Sequence, residues 1–286
     1  MSVQGRDCCI TLKTQYREMG LPYSEETIRE AVSILKEEAA IEGDGNCGAI
    51  RRSRGVTGCV VTPLSIETAP LLFVLALGRS GLPAFVSGTR VLYRHTVNLS
   101  AMESGLRFDL IQDRGAVRTL YEGCRVKDFE LRIMRGEAIK LKLDIAGNFS
   151  PVCYPYPEKA AVYSGERFKE DGVKYRINGT EYKNIYGLTI ATRKDGGTQT
   201  EVRIHRTMNS AELPPIIETL EITAQLLHDH YDYRLYGAFR LNLSRLVLMA
   251  DETAINAGDT VIGPLRYYCA GDFSADVFTT SEEVIE

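Results

Sequence analysis

The residues with the most chemical potential sit in two short stretches. "HDHYD", His228 to Asp232, packs two imidazoles and two carboxylates together. On a strand His228 and His230 share a face, and with Asp229 or Asp232 they could hold a metal. Only His95 and His205 remain elsewhere, so no third imidazole is close in sequence. The plainer reading is a surface or interface turn. "EGDGNCGAIRRS" contains G-x-G-x-x-G from Gly43 to Gly48. A dinucleotide fingerprint leaves a strand and opens a helix, whereas this one follows an expected helix and heads toward a glycine-rich strand. No Ser/His/Asp order, P-loop or carboxylate pair stands out. The tyrosines of "HYDYRLY" and "RYYCAG" read as half-buried packing residues rather than base-stacking platforms. The chain is expected to work without a cofactor or a metal, and not as an enzyme.

At 286 residues and 44% hydrophobic content, the chain can bury a core, in one large domain or two of about 140 residues. The longest apolar run, Leu71 to Leu77, is far shorter than the ~20 residues of a transmembrane helix. The start "MSVQGRDCCI" lacks a charged region followed by an apolar one, so synthesis in the cytoplasm is expected. Seven cysteines without C-x-x-C spacing point to reduced thiols. A net charge of -4 gives no footprint for gripping nucleic acid, and the densest basic cluster is "RRSR", Arg51 to Arg54.

The elements that would position any site begin with a helix expected from Glu25 to Ala39. Ser24 could cap it, and Ile28, Ala31, Val32, Leu35 and Ala39 would form one apolar stripe. "GVTGCVVTPL" reads as a strand. A second helix is expected over 68–77, with Thr68 as cap, Pro70 in the first turn and Gly78 as stop; it is apolar nearly all round and hence buried. Strands are expected at "RVLYRHTVNL", "LRFDLIQ" and "AVRTLY", and a proline-rich stretch from Asn148 to Lys159 reads as a boundary. Beyond it, Asn178-Gly179 predicts a two-residue type I′ hairpin pairing Ile177 with Thr180 and Tyr175 with Tyr182. More strands follow, interrupted only by "HDHYDYRLYGAF", which reads as a short helix or turn.

The most regular segment is "YEGCRVKDFELRIMRGEAIKLKLDIAG", Tyr121 to Gly147. Phe129, Leu131 and Ile133 alternate with charges, as do Ile139, Leu141, Leu143 and Ile145. Directly opposed residues share a face, so Ile133 must face Ile139 and Leu131 must face Leu141 across a loop of odd length. The other face carries Glu130, Arg132, Lys140, Lys142 and Asp144, as in an antiparallel sheet with one face wet. A break in the alternation at Lys127 and Asp128 predicts a bulge.

That string resembles the signature hairpin of tail tube proteins of long-tailed bacteriophages, through Gly123, Cys124, Val126, Leu131, Gly136, Leu141, Asp144 and Gly147. Upstream, Val56, Gly58, Leu77 and Gly78 match the same family's strand and apolar helix, and the likeness spans roughly residues 40 to 147. It implies a mainly β fold of antiparallel β-sandwich units with one or two helices. Such subunits join into rings, and the rings stack into a hollow tube for genome ejection. The implied partners are further copies of the chain and other tail proteins such as tape measure, terminator and baseplate components; DNA passes only transiently through the lumen. The implied location is the virion tail, with synthesis in the host cytoplasm. Counting strands suggests two tube-like units in tandem, 1–150 and 151–286, and rings of three chains, with six as the alternative. Glu130, Arg132, Lys140, Lys142 and Asp144 are the candidate lumen or interface face. The alternative reading starts from "DGNC", which resembles the active-site motif of ovarian-tumour-type cysteine deubiquitinases. There His230 would deprotonate Cys47, with Asp44 orienting the site. That motif continues into a helix, whereas here "GAIRRSRGVTG" follows.

Overall fold

The computed structural model describes residues 9–36, 50–87, 92–101, 105–114, 118–148, 165–194, 197–207, 212–230, 233–252, 261–280 and 285. The protein is mainly β and antiparallel, with one helix among the described residues. The first half contains β1 (Cys9–Lys13), β2 (Glu18–Leu21), β3 (Glu25–Glu26), β4 (Arg29–Lys36) and β5 (Ile50–Pro63). Helix α1 (Ala69–Leu77) is followed by β6 (Ala84–Phe85), β7 (Tyr93–Asn98), β8 (Phe108–Asp113), β9 (Arg118–Met134) and β10 (Lys140–Asn148). The second half contains β11 (Val173–Ile177), β12 (Thr180–Tyr182), β13 (Ile185–Arg193) and β14 (Gln199–Thr207). It ends with β15 (Ile216–His230), β16 (Tyr233–Asp251), β17 (Val261–Cys269) and β18 (Phe273–Thr279).

Every residue of α1 is buried. A helix without a polar face needs cover all round, and α1 packs against β7, β9 and β18, with the Phe73 ring 5.0 Å from that of Phe239. Thr68 precedes α1 as expected, but its hydroxyl does not bond to the helix. It accepts from the Ser65 N–H, while Ser65 Oγ accepts from the Thr68 N–H.

Two sequence expectations are overturned. The segment expected as helix 25–39 is extended over its described part, forming β3 and β4 against β5, and Ser24 donates to the Val61 carbonyl instead of capping. Residues 37–39 lie outside the described residues. Pairing with a long strand outweighs the modest helical preference of this sequence. The described parts of "HDHYDYRLYGAF", 228–230 and 233–239, are likewise not helical: they are the paired ends of β15 and β16, with His228 opposite Leu235 and His230 opposite Tyr233, and residues 231 and 232 lie outside the described residues. From Arg118 on, "AVRTLY" and the hairpin's first strand are one continuous strand, β9.

The strand order repeats. In the first half β2–β1–β8–β9–β10–β5–β4 are successive neighbours, all antiparallel. In the second half β12–β11–β15–β16–β17–β14–β13 follow the same order with the same chain sequence. The first set has α1, β6 and β7 inserted after β5, and the second has β18 added at its end. The likeness reaches single residues. Gly123 and Arg245 both have positive φ, 62° and 51°. Four positions later Lys127 is skipped in the β9–β10 ladder and Met249 in the β16–β17 ladder. The halves meet where β9 pairs with β13 and where β7 pairs with β18, over one apolar core drawn from both.

Candidate assembly face

The β9–β10 hairpin follows its sequence pattern closely. Leu141 faces Leu131 and Leu143 faces Phe129, all buried, and the ladder skips Lys127 as a bulge. The turn closes with the Glu137 N–H donating to the Met134 carbonyl at 3.0 Å, and Gly136 takes φ 77°, which favours glycine. The residues that carry the family resemblance have physical work to do. Gly123 turns the strand and donates its N–H to Asp109 Oδ1 at 3.0 Å. Cys124 then enters the core, where burial pushes its thiol up to about 12, with Asp109 adding to the effect. Gly147 lies over it so closely that a Cβ there would fall 2.8 Å from Cys124 Cα. The second expected hairpin also forms as read, with Ile177 opposite Thr180 and φ values of 51° and 79° at Asn178 and Gly179.

Glu130, Arg132, Lys140, Lys142 and Asp144 lie together on the outward face. Lys140 stands opposite Arg132, and Lys142 opposite Glu130. The row through Arg132 continues across Thr189 of β13 and Arg203 of β14 to Arg266 of β17. The next row runs from Lys142 and Glu130 through Ala191 and Glu201 to Tyr268. One sheet, β5–β10–β9–β13–β14–β17, therefore carries the charged face across both halves, and its middle is a shallow groove of about 560 Å³. Arg193, Glu201, Arg203, His205 and Arg266 are members that sequence reasoning missed. The alternation of "TEVRIH" shows that Glu201, Arg203 and His205 share a face, but not that β13 brings them beside β9.

Much of the charge on the face is paired. Glu137 bridges Lys140 at 3.2 Å and Arg132 at 3.8 Å, and Lys142 reaches Asp144 at 3.6 Å. Glu201 sits between Arg203 at 2.7 Å and Arg266 at 2.9 Å. Burial alone would raise its pKa, but the two guanidiniums outweigh burial and hold it below the ordinary carboxylate range. Burial holds the Asp144 carboxyl above its ordinary value, with Lys142 opposing and Asp128 reinforcing the shift. Asp144 in turn raises Lys142. Burial lowers His205, and the nearby Arg132 and Arg203 lower it further, so its imidazole favours the neutral form. Fixed charges that answer one another across adjacent rows make a hydrophilic wall on which most cations already have a carboxylate partner.

Asp44 and Cys47 lie outside the described residues, as do the side chains of His228, Asp229 and His230 and the whole of Asp232. The chain from Ile50 is strand rather than helix. Among the described residues no group of three or more His, Cys, Asp or Glu could hold a metal ion, and Cys9, Cys59, Cys124 and Cys269 are buried. Among the described residues no helix is long and apolar enough to cross a membrane. The chain matches no protein-family model and no curated protein.

Proposed function

We propose that the protein is the structural subunit of a phage tail tube, assembling into stacked rings whose lumen carries the genome during ejection. The observation that carries this reading is the seven-strand order found twice in one chain, built around a hairpin that resembles the tail-tube signature. Two such units in tandem, 1–150 and 151–286, give a ring of three chains the subunit surfaces of a six-fold ring; six chains is the competing count. The boundary falls in the 24 residues between β10 and β11, the stretch that holds the proline-rich segment. The mixed-charge sheet face, including Glu130, Arg132, Lys140, Lys142 and Asp144, lines the lumen in this reading. A conduit must be wettable without holding DNA, which suits cations that are mostly engaged by neighbouring carboxylates. The protein would be made in the host cytoplasm and reside in the virion tail, beside tape-measure, terminator and baseplate proteins.

Negative-stain images of concentrated protein test the reading. Uniform rings or tubes with an open centre are the expected result. Particles that stay globular and solid at every concentration would refute it.

A further inference from the structure

The middle of the charged wall is a trough rather than a flat face. Alternate residues of β13 point outward, and along most of the strand they are small: Gly187, Thr189 and Ala191 form a floor. Met134, Arg132 and Glu130 of β9 make one side, and His205, Arg203 and Glu201 of β14 make the other. The two sides are two strand spacings apart, about 10 Å between backbones. Met134 leans over Gly187, where an added Cβ would meet its sulfur at 2.5 Å, and so closes one end. The groove is lined by four guanidiniums but only two carboxylates, Glu130 and Glu201.

Ion pairing leaves the surplus at one place. Arg266 is held by Glu201 at 2.9 Å and by Glu252 at 3.3 Å. Arg203 shares the same Glu201 but meets it through Nε, which leaves its two terminal nitrogens to donate elsewhere. The carboxylate nearest Arg132 is Glu137, 3.8 Å away, and Glu137 lies closer to Lys140. Half-buried His205 makes no hydrogen bond to a described residue. We propose that Arg132, Arg203 and His205 form a binding site for one compact tetrahedral oxyanion of the phosphate or sulfate class, seated over Thr189. Thr189 stands between the two arginines in the register, so its hydroxyl can donate to the same ligand. Planar guanidiniums on opposite sides of an oxyanion suit such a ligand, because each offers two parallel N–H donors. The site belongs to a single chain and does not rest on the ring reading.

The surroundings select for a separate anion. One same-face step along the strands, about 7 Å, brings Glu130 and Glu201 to the two sides of the trough. A following phosphate of a polynucleotide would meet those carboxylates, whereas a free phosphate or the phosphate of a small molecule would not. The charges facing His205 are Arg203 and Glu201 from β14, Arg132 from β9 with Glu137 beyond it, and Arg266 from β17. The Arg206–Asp251 pair adjoins the bulge at His205. Arg132 and Arg203 disfavour the imidazolium, and a bound dianion between them reverses that effect. Anion affinity therefore rises as the pH falls through the His205 pKa, and by reciprocity the anion raises that pKa.

An NMR titration of the His205 ring in the full chain tests the site, with the His205 signals identified by their loss in His205→Asn. Sulfate is the probe, because its charge does not change over the range in which imidazole titrates. It should raise the His205 pKa by about one unit more than chloride at equal ionic strength, which is about tenfold tighter binding to the imidazolium form. Arg132→Gln and Arg203→Gln, both at exposed positions, should each weaken sulfate binding about tenfold. Lys174→Gln on β11, outside the trough, should leave it unchanged. Equal effects of chloride and sulfate would show charge screening alone and overturn the site. Sulfate binding that survives both arginine variants would place the anion elsewhere and overturn it equally. A short single-stranded oligonucleotide should shift His205 less than inorganic phosphate at the same phosphate concentration; a larger shift would overturn the separate-anion assignment in favour of a nucleic-acid backbone.

Discussion

Lys194 shows how much one residue can report about this core. Its Nζ donates to the Leu77 carbonyl at the C-terminus of α1 at 3.4 Å and sits 5.9 Å from the centre of the Phe129 ring, while its backbone N–H holds Asp128. A cation is favoured at a helix C-terminus, yet burial lowers this ammonium to about 8, with Asp128 only partly opposing. The native state therefore sheds the proton earlier than the unfolded chain. Between about pH 8 and pH 10.5 the unfolded chain binds more protons, and the Lys194 contribution to stability rises with pH. Replacing Lys194 by Met removes that contribution. Urea unfolding across this window should show the wild type gaining on Lys194→Met by about 3 kcal/mol. Taking the difference cancels the opposite trend from Cys124, whose raised pKa costs stability as the pH climbs past 9. A difference that stays flat with pH would show that the ammonium is not buried as described. Nothing in the sequence singles out this residue, because its partner at the helix end lies 117 positions away.

At the scale of elements, the β9–β10 hairpin predicts a sharp asymmetry between its faces. Leu141 is fully buried, so Leu141→Asp places a carboxylate in an apolar site at a cost of several kcal/mol and should prevent soluble folding. Lys142 lies on the wet face in an exposed pair with Asp144, worth less than about 1 kcal/mol, so Lys142→Ser should fold normally. Soluble yield and urea midpoints check both, and a more damaging Lys142→Ser would invert the assignment of faces. This hairpin was legible because period-two alternation, an odd loop and one break leave a single register. The Asn178-Gly179 turn and the apolar helix were legible for equally local reasons. The segment from Glu25 was not: Ile28, Ala31, Val32 and Leu35 fit a helical stripe, and only the partner β5, beyond residues 37–49, makes it a strand. The end of the β15–β16 hairpin was hidden similarly, since "HDHYDYRLYG" has a polar, tyrosine-rich composition that reads as a turn until β15 and β16 are seen paired as one long ladder, from Ile216 with Val247 to His230 with Tyr233.

At the scale of the whole molecule, the sequence offers a proline-rich break and two sets of strands, but not the order in which those strands pair. Strand order depends on contacts between residues far apart, such as Arg203 with Arg266 or Ala191 with Glu130, and it is in this order that the two halves resemble each other. The five hairpin charges could be read from one strand pair, while the wall they belong to needed β13, β14 and β17 in place. If both units take equivalent positions in a ring, subunit number follows from the chain itself. Native mass spectrometry of the assembled ring tests that claim most directly. With a chain of 31.8 kDa, the account predicts one ring species of three chains, about 95 kDa. A ring of six chains, about 191 kDa, would contradict it, because each chain would then supply only one of the six positions.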